Sequence, residues 1–77
     1  MGKAKTFYYL VDKLNRTNAE LIKSALKTAP EVEQVIPRIP EGVLEVWATR
    51  DVEQQVRMAC RVAGTSLRIQ VKRKDLP

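Results

Sequence analysis

The chain has 77 residues, of which 44% are hydrophobic and 30% charged, with a formal net charge of +5. That length suits one small domain, whose core must use most of its apolar residues. Histidine is absent and Cys60 is the single cysteine, which excludes a disulfide framework, a Cys/His zinc site and histidine acid–base chemistry.

Taken in chain order, Thr6 to Val11 is rich in aromatic and β-branched residues and reads as a strand. Asp12, Lys13 and Asn15 break it into a loop. Thr17-Asn18-Ala19-Glu20 has the form of a capping box, a hydroxyl followed three residues later by a carboxylate. Leu21, Ile22, Ala25, Leu26 and Ala29 then recur at spacings of three and four, which predicts one apolar helical face. Pro30 ends that helix.

Val32 to Arg38 reads as a second strand. Pro37 and Pro40 assign it to an edge, because proline cannot donate to a ladder. Pro40-Glu41-Gly42 signals a turn. Val43 to Thr49 alternates, with Leu44, Val46 and Ala48 on the core side and Val43, Glu45, Trp47 and Thr49 opposite. Asp51 or Thr49 caps a second helix in which Val52, Val56, Ala59 and Ala63 keep helical spacing. Gly64 closes that helix. From Ser66 to Lys72 a last strand alternates, with Leu67, Ile69 and Val71 expected inward and Arg68, Gln70 and Lys72 outward. Arg73 to Pro77 is expected to fray.

The order βαββαβ predicts an α+β, ferredoxin-like architecture, a four-stranded antiparallel sheet with two helices on one face. A single domain spans residues 1–77, with its core at about 6–72. Phe7 to Val11 is far too short an apolar run to span a bilayer. The basic N-terminus is followed by no signal-type apolar region. A cytoplasmic, non-membrane protein is expected, in a reducing compartment that suits the lone thiol.

Over residues 6–71 this pattern resembles the heavy-metal-associated domains of copper chaperones and metal-pumping ATPases. In that family the first strand runs into a loop of form V-x-G-M-T-C-x-x-C, and the matching stretch here is Val11 to Ala19. Leu14 takes the place of the buried methionine. The family segment A-L-x-x-x-P-G-V-x-x-V resembles Ala25 to Val35, and its late alanine-glycine resembles Ala63-Gly64. Where the family has two cysteines, this chain has Arg16 and Ala19. A cation and a methyl group hold no soft metal ion, so neither metal nor cofactor is expected. Cys60 lies in the second helix among apolar residues, where a structural role is expected.

If Phe7, Tyr9 and Val11 point inward, as the resemblance implies, the open face of the sheet carries Tyr8, Leu10, Trp47, Arg68 and Gln70, with Ile36 or Arg38 from the second strand. Tyrosine, tryptophan and arginine together are what interface centres are made of. The leading expectation is therefore a non-enzymatic module that binds a protein, or a second copy of itself, through this face or an edge strand. The last strand is the better edge. The alternative is single-stranded RNA stacked on Tyr8 and Trp47 among surrounding Arg and Lys. Against it, the RNA-recognition run K/R-G-F/Y-G/A-F-V-x-F/Y is missing, and Glu45 would repel phosphate. A plainer role for Trp47 is packing against Tyr8 and the tail.

Lys23 and Lys27 of the first helix, with Arg50, Arg57 and Arg61 around the second, are a candidate basic patch for acidic protein or phosphate. A solvated helix face accounts for the same spacing. Arg16 and Lys13 at the start of the first helix would suit an anion.

Overall fold

The computed structural model describes residues 3–76; Met1, Gly2 and Pro77 lie outside them, and so does any fraying there. Six principal elements follow one another: β1 (Lys5–Asp12), α1 (Arg16–Leu26), β2 (Val32–Arg38), β3 (Val43–Ala48), α2 (Glu53–Val62) and β4 (Ser66–Val71). The strands form one antiparallel sheet in the order β2-β3-β1-β4. This is the expected ferredoxin-like fold, with β1 and β3 central and β2 and β4 at the edges.

The core lies between the sheet and the two helices. Tyr9 and Val11 of β1, Val35 of β2, Leu44, Val46 and Ala48 of β3, and Leu67 of β4 supply the sheet side. Ala19, Ile22 and Leu26 of α1 and Val56, Ala59 and Cys60 of α2 cover them, with Phe7 packed alongside. Strict alternation on β1 and β3 builds that layer, because successive side chains leave a strand on opposite faces.

Helix α1 starts earlier than the capping-box reading placed it. Asn15, not Thr17, is the N-cap: its side chain accepts from the Asn18 amide at 2.9 Å, and the Asn18 carbonyl oxygen accepts from the Asn15 amide at 2.8 Å. Asparagine at both ends of the box satisfies two amides reciprocally, as a Ser/Glu pair would. Leu21, about 100° around the helix from Ile22, falls off the core stripe of Ala19, Ile22 and Leu26 and stands 50% exposed. At α2 the N-cap position is Val52, neither Asp51 nor Thr49, and it makes no side-chain cap; Asp51, one residue earlier, accepts from the Glu53 amide through Oδ1 at 3.0 Å. Gly64, just past the helix, has φ 83°, the left-handed conformation that glycine adopts without strain.

Strand β4 departs from its sequence pattern. Leu10 pairs with Ile69, but Val11 pairs with Leu67, so Arg68 is the extra residue of a β-bulge. A bulge places two residues opposite one and shifts every later side chain to the other face. Ile69 and Val71 therefore share the open face with Leu10 and Tyr8, and Gln70 turns to the helix side. Beyond β4, Arg73–Asp75 form one turn of 3-10 helix.

Candidate interaction surfaces

The open face is built around a buried carboxylate. Cross-strand pairing sets Glu45 of β3 between Tyr8 of β1 and Ile36 of β2. Glu45 is only 5% exposed, and both its oxygens are engaged. Arg38 Nε and Nη2 donate to Oε1 at 3.0 and 2.7 Å, and Trp47 Nε1 donates to Oε2 at 2.7 Å. Burial pushes the Glu45 carboxyl upward, but the hydrogen bonds from Arg38 and Trp47 and the Arg38 charge outweigh it, leaving the group below its ordinary range. The bond from the indole fixes the ring of Trp47, which remains 38% exposed.

The five residues expected on this face divide. Trp47 and Arg68 are exposed and Leu10 is half-buried on it. Tyr8 lies on the face but is 9% exposed, so it presents no ring for stacking. The C-terminal segment lies on this side of the sheet: Lys72 and Arg73 border a cleft with Tyr8 and Val71, and Leu76 borders another with Arg38, Glu41 and Val43. Gln70 is not on the face at all. With its amide nitrogen turned toward them, it lies 3.1 Å from Asp51 Oδ2 and 3.3 Å from Glu53 Oε1. The bulge at Arg68 is the cause.

The residue that alternation missed is Ile69, 59% exposed on the open side of edge strand β4. Its neighbour Arg68 lines a cleft with Leu10, Ile39 and Pro40. No local signal in the sequence marks the bulge, because Leu67, Ile69 and Val71 alternate without interruption.

The basic residues on the helical side do not gather. At the end of α1 and just past it, Ala25, Leu26, Thr28 and Ala29 border the groove toward α2. Lys23 lies about 160° around the helix from Ala25, and Lys27 follows one turn on, so both face away from that groove. Arg57 Nη2 meets Glu53 Oε2 at 3.3 Å, and Arg50 is paired with Glu31. Arg61 borders Met58 and Val62. Lys23 and Lys27 thus share one side of α1 and Arg57 and Arg61 one side of α2, and Arg50 and Arg57 are already matched by carboxylates.

At the β1–α1 loop, Lys13 has φ 53° and its carbonyl accepts from Asn18 Nδ2 at 2.9 Å. Arg16 is exposed at the first position of α1, and Ala19 is buried in the core. Neither side chain offers an atom that binds a soft metal ion. Among the described residues, no group of three or more Cys, Asp or Glu side chains is arranged to hold one. Cys60 is buried, and desolvation pushes its thiol up to about 11. Among the same residues no helix is long and apolar enough to cross a membrane.

No protein-family model and no curated protein matches the chain. Solved structures do. The chain is similar to the N-terminal domain of ZntA, solved in solution in its apo-form, with a TM-score of 0.78 and 25% identity over 94% of this chain and 99% of that one. It is also similar to the solution structure of a putative copper-ion-binding protein from Bacillus anthracis str. Ames, with a TM-score of 0.70 and 18% identity over 88% of this chain and 100% of that one. The second likeness is one of fold alone. This chain therefore has the fold of heavy-metal-associated domains.

Proposed function

We propose that this chain is a single-domain, non-enzymatic protein-interaction module of the cytoplasm, built on the fold of a metal-binding domain and working without a bound metal. Its contact surface is the part of the open face that the C-terminal segment leaves free, together with the adjoining edge of β4: Leu10, Arg68, Ile69 and Trp47. The observation that carries this reading is Ile69, a large aliphatic side chain 59% exposed on an edge strand. An exposed apolar residue beside an arginine, on a face whose far end carries an indole held by a hydrogen bond, has the composition of an interface.

The absence of nucleophile–base pairs in the sequence supports a non-enzymatic role, and Arg16 and Ala19 support a metal-free one. The nucleic-acid reading gains nothing from the geometry. Tyr8 is covered, and the indole N–H of Trp47 is committed to a carboxylate that repels phosphate.

A photo-crosslinking residue at position 69, in the full chain expressed in cells, tests the proposal. It should yield one defined protein adduct, while the same residue at exposed Ser24 on α1 should not. Adducts at 24 with none at 69 overturn the reading.

A further inference from the structure

We infer that the free edge of β4 accepts an acidic, extended segment of a partner protein as a fifth strand of the sheet. This rests on the interaction reading above and names the chemistry of its partner.

The sheet order leaves β2 and β4 each unpaired along one side, but the two edges are not equivalent. Both edge strands carry a bulge, at Glu33 in β2 and at Arg68 in β4, but only β2 carries a proline, Pro37, which has no N–H to donate. Strand β4 contains no proline. Because its end pairs with Tyr8, Lys5 to Phe7 of β1 also have no partner on that side. A strand edge presents unpaired N–H and C=O groups, a ready template for another extended chain.

Charge selects the partner. Arg68, Lys72, Arg73 and Lys74 line β4 and its exit, and all four are exposed. Among the described residues the ion pairs belong to Arg38, Arg50 and Arg57, and of these four cations only Arg73 acts on a carboxylate, that of Glu45. Asp75 is the one acidic residue in that stretch. Two β4 edges meeting across copies of the chain would bring these cations together, and like charges facing across strands destabilise the pair. A partner rich in carboxylates meets them favourably.

The two sides of the edge sharpen this further. Toward the open face stand Ile69 and the cleft shared by Arg68 and Leu10. Toward the helices, Gln70 sits against Asp51 and Glu53. Carboxylates on the incoming strand are welcome on the first side and repelled on the second. The matching segment therefore carries its acidic residues at alternate positions, with neutral residues between them.

The test uses the full chain labelled with 15N and an eight-residue peptide of alternating glutamate and threonine. The peptide should shift the amide resonances of Ser66 to Val71 and slow their hydrogen exchange. A peptide with lysine for glutamate should not bind. Methylating alternate backbone nitrogens, which removes donors and keeps the charge, should abolish binding. The double variant Arg68→Glu/Lys72→Glu should weaken it about tenfold or more. Binding indifferent to N-methylation overturns strand addition. Exchange protection that grows with protein concentration alone overturns it in favour of a second copy. Displacement of the peptide by an equal concentration of single-stranded oligothymidine overturns it in favour of nucleic acid. If no peptide binds while the crosslinker at position 69 still captures a protein, this inference fails and the interaction reading stands. If both fail, both are wrong.

Discussion

The two faces of this sheet obey different rules. On the helix side, every inward residue of β1 and β3 follows strict alternation, and the layer is closed by apolar side chains from α1 and α2. On the open side, the buried residues are Tyr8, Val43 and Glu45, and they lie outside that core. Around them lie a carboxylate hydrogen-bonded to Arg38 and Trp47 and clefts bordered by the C-terminal segment. One face is held by area removed from water. The other is held by satisfying a charge in a place where water is mostly gone, which helps stability only while every partner is present.

The contrast should appear first in the size of mutational effects. Leu44→Ala, at a fully buried position of the helix side, should destabilise by about 2–5 kcal/mol, measured by urea denaturation. For a domain this small that is a large share of the total. Glu45→Ala on the open side should lose about 1–3 kcal/mol, because it leaves the Trp47 N–H and the Arg38 guanidinium without their acceptor. A Glu45 loss as large as that at Leu44 would erase the distinction between the faces. Tyr9→Phe removes a hydroxyl that donates to Asp51 at 2.9 Å, and should lose about 0.5–1.5 kcal/mol.

Acid gives the same contrast a different readout. The Glu45 carboxyl lies below its ordinary range when folded. The stabilisation it brings is therefore present above the unfolded value and is lost as pH falls through the folded one. Denaturation midpoints of the parent chain should fall below about pH 4.3, the usual glutamate value. In Glu45→Gln the fall should be shallower, with near-neutral stability already lower. Parallel curves for the two proteins would show that Glu45 is not the group responsible.

How legible these faces were follows from the same division. The fold, its element order and its helix-side core were readable because periodicity reports burial under a regular layer. Asn15 does not stand out as a cap in the sequence because Thr17 and Glu20 satisfy the commoner form of the box. Tyr8 was expected outward and is outward, but it is buried there all the same. Gln70 and Ile69 exchanged faces because of one extra residue, Arg68, whose effect depends on pairing with β1 rather than on its own neighbours. Local patterns carry no information about register against a distant strand.

The smallest expected effect tests that exchange most directly. If Ile69 were a core residue, as alternation in β4 predicts, replacing it with threonine would bury an unsatisfied hydroxyl and remove apolar contact, losing well over 1 kcal/mol. On the open face at an edge, Ile69→Thr should change stability by less than about 0.5 kcal/mol. Gln70→Leu is its complement. On the helix side it should sever the amide from Asp51 and Glu53, leaving two carboxylates facing each other without a donor between them. A measurable loss at Gln70 with almost none at Ile69 is the reverse of what the hydrophobicity of the two side chains suggests. That inversion, read from two denaturation curves, locates the bulge without any structure determination.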